Sequence, residues 1–219
     1  AGHSLGEYSA LCCAESINFE QTLNLLKYRG KAMQQSVPKG KGGMLAILGL
    51  SSNEFEKILQ KNEELECYIA NDNTVGQIVA SGKIESLEKI KSLLVSKNIK
   101  HLELPVSAPF HCPLMQNATE QMTKIINNTE FNKPKIDIIS NVTANPINDP
   151  KEIKKLLIKQ IENQVRWRES VINMINLGTD QFIEVGPGKI LSGLVKRIDR
   201  KIKINQVNNL SDIKNLTND

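Results

Sequence analysis

Ser4 lies in Ala1-Gly2-His3-Ser4-Leu5-Gly6-Glu7, and Gly2-x-Ser4-x-Gly6 has the spacing of a nucleophile elbow. In such an elbow a strand runs into a sharp turn, the serine sits at its apex, and a helix leaves from it. Glycines on both sides are expected, because strand and helix backbones approach too closely for side chains. The positive end of the helix dipole favours charge developing on the serine oxygen. The backbone N–H of Leu5 is then placed to donate to an oxyanion. An ordinary tight turn uses the same residue types, so the pentapeptide leaves both readings open.

A serine nucleophile needs a base, and the chain holds three histidines, His3, His101 and His111. His3 is adjacent to Ser4, and elbow geometry turns its side chain away from the nucleophile, so it reads as a packing histidine behind the turn. His101 sits in a Lys-rich strand approach and reads as solvated. His111 follows Pro109-Phe110, where the chain leaves a small subdomain, and a histidine at an interdomain crevice is well placed for catalysis. Cys112 is read as a small buried residue rather than a rival nucleophile. Arg29, in Lys27-Tyr28-Arg29-Gly30, is either a surface charge or a guanidinium that grips a substrate carboxylate in two places. Periodicity does not choose between them.

The elements that must position these groups follow from the apolar pattern. A short helix continues the elbow over 4–14, and Asn18 caps a second helix over 19–36 with Leu23, Leu26 and Met33 as its apolar stripe. Pro38–Gly43 is a linker. Met44–Leu50 reads as a strand, and Ser51 with Glu54 makes a capping box for a helix over 52–61. Strands at Cys67–Asn71 and Gln77–Ala80 flank a turn at Asn71–Gly76, followed by a helix over 84–97 and a strand at Leu102–Val106. The order β-α-β-β-α-β predicts a ferredoxin-like subdomain over 43–106, inserted between main-domain segments 1–42 and 107–219. In the last segment, helices are expected at 112–127, 150–163, 168–177 and 189–197, and strands at 135–141, 181–185 and 202–207, with a frayed Asn-rich tail. Strands alternating with helices indicate an α/β main domain around a largely parallel sheet.

Composition narrows the function class. Of 219 residues, 40% are apolar, 24% charged and 4% aromatic, which predicts a globular core of Ile, Leu and Val. No apolar run approaches a membrane span. The net charge of +4 is too small and too evenly spread for a nucleic-acid binder, though it favours phosphate- or carboxylate-bearing partners. Cys12, Cys13, Cys67 and Cys112 lack metal-ligand spacing and a disulfide framework, so no metal is expected and a reducing cytoplasm is the simplest location. The chain opens at the elbow without an initiator Met or a leader, and therefore reads as the C-terminal piece of a longer enzyme.

Taken together, Gly2–Leu11, Arg29, Ala108-Pro109-Phe110-His111 and Glu184-Val185-Gly186-Pro187-Gly188-Lys189 resemble the malonyl-coenzyme A:acyl carrier protein transacylases of bacterial-type fatty-acid synthesis. The resemblance extends over essentially all of the chain, including the Asn71…Gln77 turn. It implies an α/β, hydrolase-like fold whose leading strands, and a loop giving a second oxyanion donor, lie outside this chain. It also implies that Ser4 is acylated, that His111 is its base, and that the base is oriented by the backbone carbonyl of Gln160 rather than by an Asp. Arg29 falls where the family pairs an arginine with the malonyl carboxylate, and Phe110 matches malonyl-selective members. Where the family often has Pro, this chain has Gln164.

The activity so implied is transfer of malonyl from malonyl-coenzyme A to the phosphopantetheine thiol of holo-acyl carrier protein, by a monomer without cofactors. Lys189, Lys196 and Arg197 either meet the acidic carrier or form a solvated face. Three rivals remain: an acyltransferase fragment of a polyketide synthase, a serine esterase or thioesterase passing the acyl group to water, and an inactive remnant.

Overall fold

The computed structural model describes residues 1–216. Residues 217–219, the end of the expected 107–219 segment, lie outside the described residues. Helix α1 (Leu5–Cys13) leaves directly from Ser4. Helix α2 (Phe19–Gln35) opens on a capping box: the Asn18 side chain accepts from the Gln21 N–H, and the Gln21 side chain accepts from the Asn18 N–H, each at 2.8 Å. Its buried face is Thr22, Leu25, Arg29, Ala32 and Met33, whereas Leu23 is exposed, so the stripe expected at Leu23 is rotated. That rotation turns Arg29 inward.

Strand β1 (Gly42–Leu48), helix α3 (Ser52–Gln60), strands β2 (Cys67–Thr74) and β3 (Gln77–Lys83), helix α4 (Ile84–Ser96) and strand β4 (Lys100–Glu103) come next. The four strands form one sheet in the order β2-β3-β1-β4, with every neighbouring pair antiparallel. Ser51 and Glu54 close a capping box on α3. Phe55, Leu87, Ile90 and Leu94 on the two helices cover Leu45, Ile47, Ile78 and Ala80 of the sheet. Burying each of these Leu, Ile and Phe side chains contributes about 1.5–3 kcal/mol.

Two expectations for this unit are corrected. The polar run Asn71-Asp72-Asn73-Thr74 is not a turn but the buried end of β2, and the reversal falls at Val75-Gly76. The run is tolerated inside because its groups find partners across the molecule. Val165 N donates to Ala70 O at 2.8 Å, Asp72 N donates to Val165 O at 3.0 Å, and Arg168 reaches both Asp72 carboxylate oxygens. The last strand is Lys100–Glu103 rather than Leu102–Val106, because Pro105 lacks the N–H that would extend the ladder.

The rest of the chain is mainly helical. A 3₁₀ turn (Pro113–Met115) leads into α5 (Gln116–Asn128), followed by β5 (Ile138–Ile139), β6 (Pro146–Ile147), α6 (Pro150–Gln160), α7 (Trp167–Asn176), β7 (Gln181–Val185), α8 (Ile190–Ile198), β8 (Lys203–Val207) and α9 (Leu210–Leu216). The strand expected over 135–141 shrinks to two residues of β5, paired antiparallel with β6, a strand outside the sequence expectations. Helix α6 ends at Gln160, short of the expected 163, since Val165 must extend to pair with β2. The largely parallel sheet is likewise corrected: among the described residues the only parallel ladder is β7 with β8. The segment packs its apolar residues on helices instead, as where Met115, Met122 and Leu157 join Tyr8, Leu11 and Leu25 of α1 and α2 in one cluster.

Within the described part of the tail, Leu210–Leu216 form α9 rather than fraying. The Asp212 carboxylate accepts from the Asn208 and Asn209 N–H groups at 2.8 and 3.1 Å.

Candidate active site

Ser4 occupies the turn between residues 1–3 and α1 with φ 50° and ψ −102°, a region that non-glycine residues rarely adopt. Gly2 makes the turn possible: a Cβ there would stand 2.0 Å from the Gly6 carbonyl carbon. The expectation for Gly6 is corrected, since a Cβ on it would meet nothing within 4 Å. Asn141, in the β5–β6 hairpin, holds the turn from below. Its Oδ1 accepts from Ser4 N at 2.6 Å, and its Nδ2 donates to Gly2 O at 2.7 Å.

Ser4 Oγ stands 2.8 Å from His111 Nε2, and His111 Nδ1 stands 2.8 Å from the backbone oxygen of Gln160. A carbonyl only accepts, so Nδ1 carries the proton and Nε2 is the acceptor. Arg29 Nη2 donates to the same Ser4 Oγ at 2.9 Å. Arginine has no acceptor, so the serine proton is directed at His111. Burial and then the Arg29 charge push the His111 pKa down to about 3, which keeps the ring neutral and able to take a proton. Its backbone, too, is in the left-handed region, with φ 58°. A cleft of about 570 Å³ is lined by His111, Tyr68, Ile69 and the Glu162–Gln164 loop.

Arg29 is 6% exposed, which removes the surface reading left open by periodicity. Its guanidinium lies 5.6 Å from the centre of the Tyr8 ring, a cation–π contact, and Nη2 also donates to Gln160 Oε1 at 2.9 Å. Burial lowers its pKa from the ordinary value. Leu5 heads α1, where the first N–H groups have no partner within the helix. Phe110 packs at the junction of two apolar clusters, near Met44, Ala70, Val79 and Leu104.

Ser4, His111, Arg29 and Gln160 thus converge from four separate stretches of chain. Cys112 is fully buried, and its thiol donates to Pro109 O at 3.0 Å, away from the serine. His3 Nε2 pairs with Asn73 Oδ1 at 2.9 Å and its ring packs on Trp167. Lys196 and Arg197 are engaged within the fold, on Arg200 O and Gln77 Oε1 respectively. Glu184 sits beneath the 186–188 glycine turn and caps α8, its carboxylate accepting from Leu191 N and Ser192 N. Among the described residues, no group of three or more His, Cys, Asp or Glu side chains is arranged to hold a metal ion. No described helix is long and apolar enough to cross a membrane.

Sequence reasoning missed Glu7, Asn141 and the side chain of Gln160. Glu7 is 1% exposed, and its Oε2 accepts from Gln160 Nε2 at 2.7 Å and from Asn141 N at 3.1 Å. Burial pushes its carboxyl up to about 7. The signal for Glu7 was available, since helical spacing from the buried Leu11 puts residues 7 and 8 on the inner face of α1. Asn141 carries no local signal.

The model of the acyl transferase domain family matches residues 1–214. The chain belongs to this family. It is 40% identical over 213 residues to a malonyl CoA-acyl carrier protein transacylase of Haemophilus influenzae, covering 96% of this chain and 68% of that relative. With the Bacillus subtilis transacylase it shares 39% over 206 residues, covering 93% and 65%. The chain therefore spans about two thirds of the length of these relatives. Among solved structures, the acyl-carrier-protein S-malonyltransferase of Bartonella henselae superposes with a TM-score of 0.95 at 40% identity, covering 99% of this chain and 69% of that one. A malonyl-transacylase solved with a type II polyketide acyl-carrier protein gives 0.94 at 35%, covering 99% and 71%. The fold is accordingly α/β with mixed sheets.

Proposed function

We propose that this site transfers a malonyl group from malonyl-coenzyme A to the phosphopantetheine thiol of acyl carrier protein through a malonyl-Ser4 ester. The observation that carries the reading is the double contact on Ser4 Oγ, from a neutral histidine and from a buried arginine. Ser4 Oγ attacks the thioester carbonyl while its proton passes to His111 Nε2. The Leu5 N–H stabilises the oxyanion. The C–S bond breaks, and the departing coenzyme A thiolate takes the proton from Nε2. The carrier's thiol then gives its proton to Nε2 and attacks the ester, and Ser4 regains that proton as it leaves.

The Gln160 carbonyl keeps Nδ1 protonated throughout, so a dyad suffices without an acidic third member. Arg29 grips the malonyl carboxylate, and acetyl leaves that buried cation without a counter-charge, which selects against it. Phe110 lines the acyl side as in malonyl-selective members. The reaction calls on no cofactor or metal, and a single chain in the cytoplasm supplies fatty-acid elongation.

The strand order and antiparallel pairing of β1–β4 support a ferredoxin-like subdomain over 43–106, set between 1–42 and the rest of a hydrolase-like main domain. Comparing transfer to carrier thiol with release to water tests the reading. Transfer must be far the faster, and equal rates would turn the assignment to a thioesterase.

A further inference from the structure

The reaction proposed above uses Ser4, His111, Arg29 and the Gln160 carbonyl, and leaves a buried carboxylate unexplained. Glu7 lies on the inner face of α1, one turn past Ser4, and Glu7 N donates to Ser4 O at 3.2 Å. Its Oε2 is the shortest contact of the Gln160 amide nitrogen, at 2.7 Å, ahead of Ser4 O at 3.1 Å and Asn141 Oδ1 at 3.4 Å. Gln160 itself is fully buried.

A glutamine amide has a donor end and an acceptor end, and the pocket must choose which one Arg29 meets. With Nε2 held on acceptors, Oε1 is presented to Arg29 Nη2 at 2.9 Å. The flipped amide would set an NH₂ against the guanidinium and a carbonyl oxygen against the Glu7 carboxylate. With Glu7 ionised, as it is above its pKa of about 7, both contacts would be repulsive in a buried site.

We infer that Glu7 is a positioning residue: by holding the Gln160 amide in one orientation, it fixes Arg29 for an acyl group that carries a carboxylate. The inference rests on the malonyl-transfer reading. A second arm of the same carboxylate holds Asn141 N, and Asn141 holds the Ser4 turn, so losing Glu7 also slows acylation by every substrate. That arm acts on the Ser4 turn, which malonyl and acetyl groups share, and reaches the Gln160 amide only through the 3.4 Å contact of Asn141 Oδ1. The preference therefore separates positioning of Arg29 from a merely structural role.

The test is competitive loading of the full chain with equal malonyl- and acetyl-coenzyme A, reading the malonyl-to-acetyl ratio on Ser4 by intact mass. The ratio is independent of the fraction of protein that is active. Glu7→Gln keeps an acceptor oxygen and should stay within about threefold of the parent ratio. Glu7→Leu removes the acceptor and should lower the ratio about tenfold, toward the value of Arg29→Ala. A parent ratio retained in Glu7→Leu overturns the inference. Should that variant fail to fold, Glu7→Asp withdraws the carboxylate by one methylene and must lower the ratio at least threefold, and an unchanged ratio overturns it equally. If Arg29→Ala itself leaves the ratio unchanged, the malonyl reading fails instead, which keeps the two failures distinct.

Discussion

The Ser4 hydroxyl must donate its proton in one direction and remain nucleophilic, and three neighbours arrange this. His111 Nε2 accepts the proton, the Gln160 carbonyl fixes the tautomer, and Arg29 places positive charge on the oxygen. An acetyl group would share the first two benefits but leave the arginine unpaired. Arg29→Ala is therefore expected to lower malonyl loading tenfold to about a hundredfold and acetyl loading by clearly less, measured as single-turnover acylation rates. Arg29→Lys should restore little, because an ammonium lacks the planar guanidinium that lies over the Tyr8 ring and can hold a carboxylate in two places.

At the scale of elements, the Ser4 turn is a steric device as much as a chemical one. Gly2→Ala should displace the turn, since its Cβ has nowhere to go except into Gly6, and acylation should fall at least a hundredfold even in folded protein. Asn18→Ala, on the far end of the second helix, should cost only about 1 kcal/mol in a denaturant melt and leave acylation intact. The difference in legibility follows the same line. Capping boxes at Asn18 and Ser51 are local, so the sequence alone located both helices. The burial of Arg29 and of Asn71–Thr74 depends on partners such as Gln160 and Arg168, more than 90 residues away, and no local pattern encodes it. The position of His111 after Pro109-Phe110 already favoured it as the base; the resemblance to the transacylases added Arg29, which periodicity had left open, and Gln160, but it was silent on Glu7 and Asn141.

For the molecule as a whole, two buried titrating groups leave opposite signatures on stability. His111 stays neutral in the fold down to about pH 3 but protonates near 6.5 when unfolded. Its contribution is complete above 6.5 and is lost as the pH falls toward 3. Glu7 titrates at about 7 in the fold and near 4.5 when unfolded. Its contribution is complete below 4.5 and is lost as the pH rises through 7. Parent minus His111→Gln stability should thus be larger at pH 7.5 than at pH 4.5, and parent minus Glu7→Gln stability should run the other way. Denaturant melts at the two pH values check both signs.

The central claim is that Ser4 becomes a malonyl ester within this constellation. Intact mass after brief mixing of the full chain with malonyl-coenzyme A tests it most directly. The account predicts a single malonyl adduct that maps to Ser4, disappears on adding holo-acyl carrier protein, and is absent from Ser4→Ala. An adduct that survives Ser4→Ala, or no adduct on the parent chain, would contradict it.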